Sequence, residues 1–290
     1  MGYQALLPVV ALVGSNPDQP ALQCLGVAQS RQLIEQVQAD GLEDIGGILM
    51  RRPIAQRNRV DQVLVTLQEG VDGKLKDVAG VLIPGGFGQR GVEGKIKAAR
   101  FAREHKVPYL GLCLGMQVAT IEFARNVCGL EGANSTEFDK AAKEPVISLL
   151  EEQRAIRSKG ASMRLGTWPT KIATGTLAEK IYGSNEVLER HRHRYEFNMK
   201  YRDRMNEKGF VISGTSPDGA LAELIELRDH PYFIGCQYHP EFQSKPNKPH
   251  PLFKAFIQAC LVRQANPETR AATGPLSLPR VPDQELVLQR

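Results

Sequence analysis

No stretch of the 290-residue sequence approaches the roughly 18 consecutive apolar residues that a membrane-spanning helix needs. The apolar opening Ala5–Val13 follows no basic segment and leads to no small-residue cleavage site, so it reads as a buried first strand. Cysteine is also scarce. The five residues Cys24, Cys113, Cys128, Cys236 and Cys260 are odd in number, irregularly spaced and contain no C-x-x-C pair. That pattern excludes a disulfide framework and a zinc site, sets the expectation of no bound metal, and fits a reducing cytoplasm. Charge of one sign is lacking too: the formal excess of +5 is modest for this length and is spread along the chain. Neither a nucleic-acid nor a membrane partner is expected from it. The local exception is Arg190-His191-Arg192-His193-Arg194, dense enough for a phosphate-facing or localisation patch, with an ordinary solvated run the equal alternative.

What is present is the 42% hydrophobic content of a globular chain, arranged as short apolar runs alternating with helical periodicity. This predicts an α/β fold: an open, mostly parallel central sheet flanked by helices. Strands are expected over Val9–Val13, Val78–Ile83 and Pro108–Leu112. Helices are expected over Ala21–Ala39, Val92–His105, with Lys95, Lys97, Arg100 and Arg103 outward, and Leu114–Arg125. Residues 132–168 read as a polar, irregular excursion, followed by strands over Arg194–Phe197, Phe210–Gly214, Leu221–Leu227 and Tyr232–Tyr238 that make the sheet mixed. A closing helix is expected over Pro251–Val262. One domain over residues 1–262 and an unstructured tail over 263–290, with Pro267, Pro275, Pro279 and Pro282 in a polar context, complete the organisation.

Three segments carry chemistry. Gly111-Leu112-Cys113-Leu114-Gly115 joins a predicted strand to a predicted helix, the layout of a nucleophile elbow with cysteine as nucleophile. Flanking glycines relieve crowding at so sharp a turn, and a helix N-terminus favours the thiolate. The bland alternative is a buried structural cysteine beside packing glycines. Tyr238-His239-Pro240-Glu241 supplies a general base, His239, and a carboxylate, Glu241, to orient it; residues two apart in an extended segment share a side, and Pro240 keeps His239 out of helical geometry. The glycine-rich turn Pro84-Gly85-Gly86-Phe87-Gly88 follows a strand but lacks the lysine and hydroxyl of a phosphate loop, so it reads as an oxyanion site. The N–H groups of Gly86 and Leu114 are the candidate donors.

These segments, together with Gly91–Lys95, Met116-Gln117, Ala133–Phe138, Met163–Gly166, Arg190–Tyr195 and Gln237–Phe242, resemble the class I glutamine amidotransferase domain of the CTP synthases, in order, over roughly residues 76 to 260. The resemblance implies a flavodoxin-like fold, with Cys113, His239 and Glu241 as a catalytic triad that hydrolyses L-glutamine through a glutamyl thioester. It also implies that Phe87, Gln117, Glu137 and Arg194 bind the substrate, an assignment that suits a zwitterion needing an acid for its ammonium and a guanidinium fork for its carboxylate. Arg190 and Arg192 then become surface or partner-facing charges.

Before residue 76 the likeness fades: Ser15-Asn16 stand where the family carries Lys-Tyr. No segment corresponds to the family's synthetase domain, so no cofactor is expected here, and ATP, Mg and UTP belong to a synthetase domain or subunit receiving the ammonia. A stand-alone γ-glutamyl hydrolase and a catalytically quiet binding module are the other readings, and homo-oligomerisation is left open.

Overall fold

The computed structural model describes residues 10–12, 75, 78–89, 91–149, 163–245 and 247–265. The expected helix over 21–39, the basic region 51–59 and the tail from 266 onward lie outside the described residues. Strands β1 (Val10–Leu12), β2 (Gly80–Ile83), β3 (Tyr109–Leu112) and β11 (Phe233–Cys236) lie side by side and parallel. The sheet continues antiparallel through β10 (Ala222–Leu227), β9 (Phe210–Thr215), β6 (Arg164–Ile172) and β7 (Glu186–His193), giving an 8-stranded order β1-β2-β3-β11-β10-β9-β6-β7. The parallel character expected of most of the sheet thus belongs to the half that carries the elbow. The far half is a run of near neighbours in sequence, and antiparallel pairing needs no crossover helix.

Side chains of the central strands alternate between two buried clusters. One face, with Val81, Ile83, Tyr109 and Phe233, packs against α1 (Val92–Glu104) and α2 (Leu114–Asn126). The other, with Leu110, Leu112, Ile234 and Cys236, packs against α3 (Leu177–Tyr182) and α5 (Pro251–Ala265). A short helix α4 (Arg202–Glu207) lies before β9. The helices α1 and α2 are joined by a fork in which Arg103 donates from Nε at 2.9 Å and from Nη2 at 2.7 Å to the two oxygens of the buried Glu122. Arg103 is therefore not simply outward. Nor is Lys95, which is only 2% exposed in the first turn of α1. Burial lowers its pKa to about 8, and the carboxylate of Glu137 partly offsets this. Lys97 and Arg100 do face solvent.

The irregular excursion expected over 132–168 is partly strand. Within it, β4 (Ala133–Ser135) and β5 (Glu144–Leu149) join β8 (Tyr195–Phe197) in a second, 3-stranded sheet. The apolar pair Val146–Ile147 is fully buried there, a run too short to stand out among its polar neighbours. Among the described residues no helix is long and apolar enough to cross a membrane.

His230, in the turn between β10 and β11, is fixed as a neutral ring: Nε2–H donates to Ala102 O at 3.0 Å and Nδ1 accepts from Tyr232 N–H at 3.2 Å. Burial lowers its pKa to about 3. As pH falls below the ordinary histidine value of about 6.5, the unfolded chain takes up a proton that the folded one refuses, so this contribution to stability is present above that value and is lost toward pH 3. Urea unfolding followed from pH 7 to 4 should show a His230→Gln variant with a shallower decline, by up to about 1.4 kcal/mol per pH unit.

Candidate active site

The strand β3 ends in the elbow. Cys113 takes φ 49° and ψ −100° as the residue that caps α2, and its N–H is held by Cys236 O at 2.7 Å. The flanking glycines are there for space: a Cβ on Gly111 would lie 2.6 Å from the carbonyl carbon of Gly115, and one on Gly115 would lie 2.2 Å from Ile83 O. Strand and helix touch backbone to backbone, which leaves the thiol at the carboxyl edge of the sheet. The N–H of Leu114, the first residue of α2, has no partner within the helix.

His239 arrives from the end of β11, the strand adjacent to β3. Its N–H donates to Arg190 O of β7 at 2.8 Å, and its Nδ1 lies 2.6 Å from Glu241 Oε1. The local geometry departs from the extended form expected from sequence. His239 itself is non-helical, at φ −116° and ψ 83°, but Pro240–Phe242 is a turn of 3₁₀ helix that carries Glu241 back to the imidazole. Proline is suited to the first position of such a turn, which is why the chain curls there. The Phe242 ring stacks on His239 at 5.3 Å, and Arg190 lies over the opposite partner of that stack, 5.8 Å from the Phe242 centroid.

The glycine turn locks these parts together. A Cβ on Gly85 would come 2.7 Å from His239 Cε1 and 3.5 Å from Cys113 Cβ, so imidazole and nucleophile meet over this residue. Burial opposes a charge on His239, but its contacts with Cys113 and Glu241 outweigh burial and raise its pKa to about 10. Its Nε2 is buried and makes no well-aligned hydrogen bond.

The other sequence candidates fall around this centre. Gly86 lies next to Gly85. Phe87 is 69% exposed and stands on the rim. Glu137 accepts from Gly88 N–H at 2.9 Å, which ties the glycine turn to β4. Gln117 is buried on α2 one turn after Cys113, with its amide donating to Tyr195 O at 3.1 Å and Gln237 Oε1 at 3.2 Å. Arg194 is exposed and immediately precedes Tyr195. Gln237, to which sequence reasoning gave no role, points its amide at Cys113 Sγ at 3.7 Å. Its signal was available: it lies two residues before His239 on the same strand end. Among the described residues no group of His, Cys, Asp or Glu is arranged to hold a metal ion.

A glycine-buttressed cysteine elbow, a histidine–glutamate pair on the neighbouring strand and a glycine-rich turn over both agree with what comparison shows. Residues 50–259 match the model of the family Glutamine amidotransferase class-I, a span that begins earlier than the recognisable motifs. The chain belongs to the class I glutamine amidotransferases. Within that family it is similar to the CTP synthase of Moorella thermoacetica, 60% identical over 197 residues, and to that of Syntrophus aciditrophicus, 56% identical over 194. The aligned parts cover 68% and 67% of this chain but only 37% and 36% of those relatives. Among solved structures, the glutaminase domain of Trypanosoma brucei CTPS with bound acivicin matches with a TM-score of 0.67 and 33% identity, covering 88% of this chain and 94% of that one.

Gly85→Ala should displace the imidazole from the nucleophile without disturbing the sheet. Turnover is expected to fall by about a hundredfold, the effect of a misplacement near 1 Å, with Tm within a few degrees of the parent by calorimetry. A variant with full turnover would remove Gly85 from the site.

Proposed function

We propose that this chain hydrolyses L-glutamine to glutamate and ammonia, and that the ammonia serves the synthetase part of a CTP synthase in converting UTP to CTP. The observation that carries the reading is the convergence of Cys113 and His239 over Gly85, with Glu241 Oε1 2.6 Å from His239 Nδ1. His239 takes the proton of the Cys113 thiol, and Sγ attacks the side-chain amide carbon while the N–H groups of Gly86 and Leu114 receive the developing oxyanion. The imidazolium of His239 gives its proton to the departing nitrogen, ammonia leaves and a glutamyl thioester remains. His239 then takes a proton from water, hydroxide adds to the thioester carbon, and glutamate departs as the thiol is restored. Glu241 holds the tautomer and stabilises the imidazolium throughout.

Glu137, Arg194, Gln117 and Phe87 bind the substrate in this reading. The Glu137 carboxylate beside the glycine turn receives the α-ammonium, and the exposed guanidinium of Arg194 receives the α-carboxylate. Gln117 braces Tyr195 and Gln237 from below while Phe87 borders the entrance. The relatives are CTP synthases of which this chain spans little more than a third, and exposed Phe87, Leu165, Trp168, Leu188 and Phe242 suit a partner surface at the synthetase part, where ATP, Mg and UTP belong. A thiol nucleophile accords with the reducing cytoplasm, and the four described cysteines are free.

Release of glutamate and ammonia from L-glutamine is the direct assay. Cys113→Ala and His239→Ala should each abolish it in a folded protein, because nucleophile and base act as a unit; near-normal turnover in either overturns the assignment. Arg194→Ala should raise KM far more than it lowers kcat, since a carboxylate clamp holds ground and transition states alike. An unchanged KM removes Arg194 from the substrate site.

A further inference from the structure

Behind the triad lies a second set of ionisable side chains that the proposed reaction does not use. Strand β7 alternates: Arg190 and Arg192 face solvent, whereas Glu189, His191 and His193 face inward. Glu189 is fully partnered there by Tyr182, His250 and Gln243. The two histidines belong to a closed ring. Glu223 Oε2 lies 3.6 Å from His191 Nε2, His191 Nδ1 lies 2.8 Å from His193 Nε2, and His193 Nδ1 lies 3.4 Å from Glu196 Oε1. Arg164 Nη1 closes the circuit, 2.6 Å from Glu223 Oε1 and 3.8 Å from Glu196 Oε1. All five side chains are at least nine-tenths buried. Only the His191–His193 contact has hydrogen-bond geometry; the two outer histidine contacts are a few tenths of an ångström too long, and Arg164 Nη1 faces both carboxylates as an ion pair without an aligned hydrogen bond.

The central His–His contact dictates the rest. If His193 Nε2–H donates to His191 Nδ1, the bare Nδ1 of His193 needs a proton from Glu196, and His191 Nε2–H faces an ionised Glu223. The reverse direction needs Glu223 protonated and Glu196 ionised. Arg164 sits closer to Glu223, which selects the first direction in this structure. The charge balance agrees. Burial, reinforced by Arg164, lowers the pKa of His191 to about 2 and of His193 to about 3, keeping both rings neutral. Burial pushes both carboxyls up: Glu196 well above the usual carboxylate range, and Glu223, held back by Arg164, to about 7. Arg164 with one ionised carboxylate then leaves the ring neutral overall.

The ring adjoins the catalytic base. His191 packs edge-on against Tyr238 at 5.8 Å, β7 accepts the His239 N–H, and both ring histidines feel the charge of His239. The other charged groups that act on the ring are Asp218, after β9, and His239, whose own partners are Cys113 and Glu241. We propose that Arg164, His191, His193, Glu196 and Glu223 form a positioning ring whose proton direction, and with it the place of its negative charge, follows the protonation of His239. Reversal moves one proton from Glu196 to His193, one from His193 to His191 and one from His191 to Glu223, with none gained or lost. The proposal rests on the Cys113–His239 pairing proposed above.

The test is the pH dependence of Cys113 alkylation by iodoacetamide, which needs no glutamine, with His239→Ala as control. Glu196→Gln locks the charge on Glu223, and Glu223→Gln locks it on Glu196. Because the parent can adopt either direction, its midpoint must lie between those of the two variants, separated by about one pH unit for a modest displacement of charge. Coincident midpoints, or two shifts of the same sign, overturn the ring. Nitrogen NMR of the parent protein near pH 7, where His239 carries its proton, gives a second reading that does not depend on the variants folding: both His191 and His193 should be neutral with the proton on Nε2, and an imidazolium or an Nδ1–H tautomer in either at that pH overturns the ring. A profile unaffected by His239→Ala refutes the Cys113–His239 pairing instead.

Discussion

The arrangement depends on one close approach, the backbone contact between the end of β3 and the first turn of α2. Gly111, Gly115 and Ile83 meet at distances that admit no β-carbon, and this forces Cys113 into a left-handed φ that a cysteine adopts only at a cost of about 1–3 kcal/mol. The hydrogen bond from its N–H to Cys236 O, made in a fully buried sheet, helps hold the strained conformation. That same bond joins β3 to β11, and β11 delivers Gln237 and His239. The constraint that strains Cys113 therefore also sets its distance from His239.

The site was more legible in the sequence than the fold around it. Gly111, Cys113 and Gly115 point to an elbow because a tight backbone turn needs glycines on both sides of the residue at its tip, and His239-Pro240-Glu241 carries its own conformational signal in the proline. The turn that follows the proline was not legible, because a side chain can reach its neighbour's ring from an extended segment or from a 3₁₀ turn with the same residues. Lys95 was read as outward because its spacing matched Lys97 and Arg100 in a basic helix. Its burial brings it within the field of Glu137, more than forty residues away in sequence, and helical periodicity carries no information about such a neighbour.

The basic run Arg190–Arg194 shows why a charge count can mislead about a strand. Its arginines dominate the composition and lie outside, so the run looks like a surface patch. The period of two places its histidines inside, where they meet carboxylates contributed by β8 and β10. What sequence reading treats as one feature is two, divided by the plane of the sheet. The arginines face solvent, and the histidines form a buried electrostatic element next to His239.

The contrast between the histidines follows from neighbours, not residue type. His191, His193 and His239 are all largely buried, and burial alone drives each toward the neutral form. Arg164 reinforces that tendency in the first two, whereas a carboxylate on one nitrogen and a thiol facing the other reverse it in the third. The charged imidazole thus faces Glu241 while the two neutral ones face Glu223 and Glu196. The backbone bond from His239 to Arg190 brings β7 and the loop that carries His239 together through main-chain atoms, so the side chains of the two sets approach without sharing a carboxylate.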